Sequence, residues 1–359
     1  MENKYAPYPK PKPVVADGEF IFAAVGIDSD HIYGQCQGLI NAGATLKYIY
    51  DTDKSRIDKF LSVFPMAKIA KSIDEILKDD EIKLVTSANI PSKRAELGIK
   101  TMLANKDYFT DKAPLTTLEQ LDEVMKVAAS KKRKYGVYYS ERIHTEAAIF
   151  ASQLVEQGAI GKVIQTMGMG PHSMDLGPFP DWFYKREYYG GILCCIGSHQ
   201  IEQFLHYTGA KSAKIVCAQI DNITQKQHPG FDDFGDCTLL GDNGAYGYFR
   251  VDWHSPKGLK SWGDGRLFIL GTKGYIELRK YINIAQSISG GHVYMANEDG
   301  EFYFDIDGKV GHPFFGEFIL DCINRTENSM SQNHIFEAAR LGIEAQMLAE
   351  KAKGISRVC

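Results

Sequence analysis

Short apolar, β-rich runs separated by helical stretches fill residues 20–140, and this alternation limits the fold more than any other feature of the sequence. FIFAAVGI (20–27), ATLKYIYD (44–51), IKLVTSA (82–88), DYFTD (107–111) and KYGVYYS (134–140) read as strands. Between them lie a helix that ends at Asn41 ahead of Gly43, a polar helix opening near Asp53 and a helix starting at Pro91. A further helix opens at the capping-box pattern Thr116-Thr-Leu-Glu119. Such alternation builds a parallel sheet with right-handed crossovers and helices on both faces.

After Thr145 the pattern changes. A helix at 145–158 leads into KVIQTMGMGP (162–171), and another follows Gly197 and ends near Gly209. The next strands are joined at Asp242-Asn-Gly244, Gly271-Thr-Lys-Gly274 and Asn297-Glu-Asp-Gly300, which are hairpin signals, so this sheet is mainly antiparallel. Helices near 314–324 and 333–353 complete the pattern. The expected fold is an α/β Rossmann domain plus an α+β domain with a large, mainly antiparallel sheet. The expected divisions are an extended Pro/Lys-rich arm at 1–19, a dinucleotide-type domain at 20–143 and a second domain at 144–359. The arm (YAPYPKPKPVV at 5–15) reads as a disordered tail or as a strap on a second subunit.

The length of 359 residues suits two domains. Lys+Arg number 41 and Asp+Glu 45, a net charge of -4, so there is no electrostatic reason to expect nucleic acid or an anionic membrane as partner. The longest apolar run falls far short of the ~20 residues a membrane-spanning helix needs. The first twenty residues carry no signal-peptide core. Seven cysteines without framework spacing suit a reducing compartment, so the expected location is cytoplasmic.

The first strand–turn–helix reads Gly26-Ile-Asp28-Ser-Asp-His31-Ile-Tyr-Gly34. A dinucleotide site favours G-x-G-x-x-G here, so that backbone approaches a pyrophosphate at a helix N-terminus. Only Gly26 matches; Asp28 takes the second glycine's place and His31 the third's. Asp28 repels a pyrophosphate unless it turns away or caps the helix. Asp51 ends the second strand, where an acid binds adenosine ribose hydroxyls in NAD-type sites; a solvated acid at a helix start is the competing reading. The expected cofactor is NAD, with NADP left open by Lys54 and Arg56 nearby. Lys112, in Thr110-Asp-Lys-Ala-Pro-Leu115, ends a parallel strand at the edge where ligands bind.

The stretch Tyr189-Gly-Gly-Ile-Leu-Cys-Cys195-Ile-Gly-Ser-His199-Gln-Ile-Glu202 has two glycines that admit close backbone approach. A helix from Gly197 then carries His199 in its first turn, and histidine is the usual general acid/base at neutral pH. Cys194, Cys195, His199 and Glu202 have metal-ligand residue types, but adjacent cysteines in a strand point to opposite faces and no C-x-x-C pair accompanies them, so no metal is expected. His172 (in 170–175) and Trp182 (in 180–186) suit a polyol, whose C–H faces stack on aromatic rings; for Trp182 and Phe183 core packing is the alternative. Glu141 and Arg142 follow the last strand of the first series and are substrate-side candidates, Glu141 for a carboxylate role.

These motifs, in this order, resemble the Gfo/Idh/MocA family of glucose-fructose oxidoreductase, inositol dehydrogenase and relatives. That family has a Rossmann domain, a Glu-Lys-Pro signature and a downstream Gly-Gly-x-x-x-Asp-x-Gly-x-His stretch. The resemblance covers about residues 20–354 and includes Tyr-Ser-Glu-Arg at 139–142 and Gly-Thr-Lys-Gly-Tyr-Ile-Glu at 271–277. It implies that Lys112 is the signature lysine, serving the nicotinamide side as well as catalysis, and that His199 is the catalytic histidine. It implies hydride transfer between a nicotinamide cofactor and a sugar, cyclitol or related polyol, in a homodimer or homotetramer built on the large sheet. Two departures stand out: Asp111-Lys-Ala-Pro replaces Glu-Lys-Pro, and Cys195 occupies the place of the family's Asp. They keep two other outcomes open: bound NAD as a transient oxidant in elimination or glycosidic cleavage, and non-catalytic ligand binding.

Overall fold

The alternating run folds into a six-stranded sheet: β1 (Ile21–Val25), β2 (Thr45–Tyr50), β3 (Lys68–Ile69), β4 (Ile82–Ser87), β5 (Asp107–Asp111) and β6 (Tyr135–Tyr138). The computed structural model describes residues 4–354. The strand order is β3-β2-β1-β4-β5-β6 and each pairing is parallel. Phe22, Leu84, Val85, Phe109 and Val137 are fully buried, as strands covered on both faces require. The order reverses between β1 and β4, where doubly wound sheets open a crevice at their carboxyl edge.

Asp53 caps the helix Lys54–Val63 by accepting from the Ser55 and Arg56 amides. The helix Leu118–Lys131 is capped by Thr117, whose side chain accepts from Gln120 N. The cap is therefore one residue later than the Thr116/Glu119 pair expected. Gln120 explains the shift, because its Oε1 reaches back to Thr116 N at 2.9 Å.

Two units emerge from the contacts: 11–138 with 313–336, and the segments to Lys10, Tyr139–His312 and from Glu337 onward. The helix Phe314–Asn324, assigned from sequence to the second domain, belongs to the first unit. Phe314, Phe315 and Phe318 place their rings 5.9, 6.3 and 5.2 Å from that of Phe109. A Cβ at Gly136 would stand 2.5 Å from Phe318, so the glycine is what admits the ring. Periodicity reveals an apolar helix face but not which sheet it covers.

The disordered-tail reading of the arm is also corrected. Within the first unit Val14 N donates to Ala42 O at 2.9 Å. Within the second unit Tyr5 is buried, packs edge-on against Phe302 at 5.2 Å and bonds to Asp299. The arm is bonded to its own chain.

The second unit holds eight strands: β7 (Val163–Pro171), β8 (Ala213–Asp221), β9 (Phe234–Gly241), β10 (Tyr246–Asp252), β11 (Arg266–Gly271), β12 (Gly274–Arg279), β13 (His292–Asn297) and β14 (Gly300–Asp305). Their order is β14-β13-β12-β11-β7-β10-β9-β8. Only β7 and β10 pair in parallel. Hairpins form at the three expected turns. One face is covered by the helices Glu146–Glu156 and Gly197–Thr208 and buries Phe150, Ile269, Ile276 and Val293. The other face carries Tyr248, Met167, Phe268, Glu277, Tyr294 and Tyr303 in one register row across six strands. No helix among the described residues is long and apolar enough to cross a membrane.

Candidate active site

In the first unit the site is built where β1, β2 and β5 end. Gly26 has φ +68°, and a Cβ there would stand 3.0 Å from Asn89, so the chain turns at this point only without a side chain. Asp51 supports the turn: its Oδ2 accepts from Ile27 N at 2.8 Å and its Oδ1 from Asp53 N at 2.8 Å. Arg56 bridges the two acids of the turn, 2.8 Å from Asp51 Oδ1 and 2.9 Å from Asp28 Oδ1. Burial raises the Asp28 pKa and Arg56 opposes that shift. The carboxylate that threatened to repel a pyrophosphate is therefore partly offset by a cation that it shares with Asp51. Neither Asp28 nor Asp30 makes a side-chain cap for the helix His31–Asn41.

Asp111 organises the end of β5. Its Oδ1 meets His31 Nδ1 at 2.8 Å and accepts from Lys112 N at 2.8 Å, while its Oδ2 meets Arg94 at 3.1 Å. Burial would raise its pKa, but the charges of His31 and Arg94 outweigh it and hold the carboxyl well below the usual range. Arg94, fully buried, also donates to Asn89 O at 2.7 Å and Ala113 O at 2.8 Å, so it clamps the turn that carries Lys112. The Lys112–Ala113 peptide is cis. Sequence reasoning missed Arg94, which looks like any basic residue at a helix start.

In the second unit the site centres on the helix Gly197–Thr208, whose polar residues His199, Gln200, Glu202 and Gln203 are all buried. Glu141 Oε2 accepts from Lys280 Nζ at 2.8 Å and from Gln200 Nε2 at 2.8 Å. Lys280 also donates to Gln203 Oε1 at 2.7 Å. Burial would raise the Glu141 pKa; Lys280, then His199 and His172, overcome it and hold the group ionised. Gln200 reaches Glu141 by crossing β7 at two glycines: a Cβ on Gly168 would stand 2.2 Å from its Oε1, and one on Gly170 2.9 Å from its Nε2. Tyr139 places its ring edge-on to His199 at 6.2 Å. Arg142 is drawn elsewhere, 2.6 Å from the fully buried Glu202.

Two local readings need correction. Ile192–Cys195 is a helical turn, not a strand, so the two cysteines do not alternate across a sheet. Gly191 (φ +85°) makes room not for a ligand but for Gln346, whose amide carbon lies 2.1 Å from where a Cβ would be. Gln346 also accepts from Leu193 N at 3.0 Å, which holds the turn of Cys195 in place. Among the described residues no group of three or more His, Cys, Asp or Glu is placed to hold a metal ion.

Trp182 and His172 both belong to an aromatic array. It runs from Trp182 to Phe183 (6.0 Å), Trp253 (5.1 Å), His172 (5.1 Å), Trp262 (4.6 Å) and Tyr281 (4.3 Å). Lys280 precedes Tyr281, so the array adjoins the polar centre. Trp253 and Trp262 were not singled out from sequence, although their rarity was a usable signal: the chain has three tryptophans and all three stand in this array.

A six-stranded sheet in this order with Gly26 and Asp51 at its carboxyl edge defines a dinucleotide-type unit, joined in one chain to an α+β unit with a buried histidine centre. Residues 29–139 match the model of the oxidoreductase family with an NAD-binding Rossmann fold, and residues 149–277 match the GFO/IDH/MocA C-terminal domain. A solved oxidoreductase-designated protein of Erwinia carotovora atroseptica SCRI1043 is 52% identical, with TM-score 0.89, over 92% of this chain and 99% of that one. The chain belongs to the Gfo/Idh/MocA family of oxidoreductases. D-xylose dehydrogenase of Paenarthrobacter nicotinovorans is 22% identical over 56% of this chain and 52% of its own length. The chain thus spans about half the length of the first curated relatives it matches. A levoglucosan dehydrogenase solved with NADH and levoglucosan shares the fold at 17% identity and TM-score 0.74, over 94% of this chain and 98% of that one.

Proposed function

We propose that the protein is an NAD-dependent dehydrogenase of a sugar, cyclitol or related polyol. The observation that carries the reading is the second unit's centre: a buried histidine in the first turn of a helix, whose next residue, Gln200, bonds an ionised carboxylate, with an aromatic array adjoining it. Aromatic faces suit the C–H faces of a ring sugar, and the polar centre suits its hydroxyls. The xylose and levoglucosan dehydrogenases among the relatives support the substrate class.

The residues present fit the cofactor. Gly26 supplies the bare turn, Arg56 offsets Asp28, and Asp51 Oδ2 has lone-pair capacity beyond its single bond to Ile27 N. Asp28 and Asp51 share the single cation Arg56, so the negative charge in surplus at this turn disfavours a 2′-phosphate and favours NAD over NADP. Bound NAD supplies the hydride acceptor. His199 takes the hydroxyl proton as general base, and Lys112 hydrogen-bonds the developing alkoxide. Fluorescence titration should show NADH binding tighter than NADPH, followed by turnover in a screen of sugars and cyclitols. Failure to bind either nucleotide would overturn the reading.

The same proposal includes self-association through the open sheet face, where Met167 is 42%, Tyr248 39% and Tyr303 54% exposed. An apolar patch of this kind on a sheet surface marks a contact between proteins. Light scattering should give a dimer or tetramer, and Met167→Lys should lower the mass. A monomeric unmodified chain would remove this part of the proposal.

A further inference from the structure

In the related pattern a carboxylate stands four residues before the histidine, and here that place is taken by Cys195. A neutral thiol brings no negative charge to a histidine that must carry a proton during turnover. The structure nevertheless places a second buried carboxylate at the centre, besides Glu202 of the His199 helix. Glu141 is 2% exposed, and its Oε2 takes both Lys280 and Gln200. Its Oε1 is buried with no hydrogen-bond partner among the described residues. A buried anionic oxygen in that condition draws positive charge. The groups of this centre that can supply it by protonation are His199 and His172.

We propose, on the basis that His199 is the general base, that Glu141 is its positioning carboxylate: pinned by Lys280, it supplies from the segment after β6 the charge that Cys195 does not supply from the turn before the helix. Lys280 keeps Glu141 ionised and fixes its rotamer, and Gln200, seated on Gly168 and Gly170, fixes it from the helix side. The other charged or titratable groups of this centre are Tyr139, edge-on to His199, Glu202 on the same helix, ion-paired with Arg142, and His172, with the Cys194–Cys195 turn preceding the helix. Glu141 acts through His199 and does not itself take the substrate proton. When His199 accepts that proton, the Glu141 charge stabilises the imidazolium, the service a carboxylate gives to a catalytic histidine in general.

The test is a histidine titration by NMR on isotope-labelled protein without substrate or cofactor, with His199→Asn to assign the signal. Glu141→Gln should lower the His199 pKa by at least one unit, a tenfold loss of proton affinity. That variant leaves Lys280 buried without its counter-charge, so the neutral pair Glu141→Gln/Lys280→Met is measured as well; its His199 pKa should lie between the single variant and the parent. The acidic limb of the kcat/KM profile for polyol oxidation should move by the same amount as the titration. An unchanged His199 titration in both variants overturns the proposal. A shifted titration in a protein that oxidises no polyol leaves the coupling standing and removes the dehydrogenase reading instead.

Discussion

The two units hold their charges in opposite ways. At the edge of the parallel sheet the acids Asp28, Asp51 and Asp111 meet basic side chains that are partly open to water: Arg56 is 34% exposed and His31 39%. In the second unit the pairs are sealed: Lys280 and Glu141 are 0% and 2% exposed, Glu202 0% and Arg142 11%. Arg94 is the exception in the first unit, buried because it clamps backbone as well as Asp111. An open rim can trade its partners for a ligand at low cost, whereas a sealed network must be correct before any ligand arrives. The first arrangement suits a nucleotide that comes and goes, and the second suits a proton-handling centre that must not rearrange.

The comparison can be broken by substitution. Arg142→Met takes the guanidinium from fully buried Glu202 and should destabilise the protein by about 3–5 kcal/mol, read as a lower denaturant midpoint. Adding Glu202→Gln should recover part of that loss. Lys112→Ala should cut turnover by ~10²-fold or more, because charge stabilisation of the alkoxide is lost; near-parental turnover would remove Lys112 from the site. Asp51→Asn keeps an acceptor for Ile27 N and should weaken NADH binding about tenfold, the scale of one charge-assisted hydrogen bond. The smallest effect belongs to Arg56→Ala, which should cost about 1 kcal/mol of stability: the guanidinium is a third exposed, although its partners Asp51 and Asp28 are 2% and 11% exposed. A loss at Arg56 as large as at Arg142 would show that the rim is as rigid as the sealed centre.

Much of both sheets was legible from sequence because their signals are local. Apolar runs with period-two or continuous burial, caps at Asp53 and hairpin glycines at 244, 274 and 300 act within a few residues of themselves. Lys112 and His199 were legible as positions, one at a strand end and the other in a first helical turn. The supporting groups were not. Arg94 reaches Asp111 across 17 residues and Lys280 reaches Glu141 across 139. No local pattern marks such pairs, since each side chain alone reads as an ordinary surface charge.

By itself the sequence determined the two kinds of sheet, the hairpins, the strand-end lysine and the helix-start histidine, because hydrogen-bonding period and turn chemistry are written residue by residue. Only the tertiary structure decided which unit claims the helix Phe314–Asn324, that Gly191 serves Gln346 rather than a ligand, and that Arg142 is spent on Glu202 while Glu141 is held by Lys280. Those choices depend on which surfaces meet when the chain closes. A buried charge takes as its partner whatever that closure brings within about 3 Å.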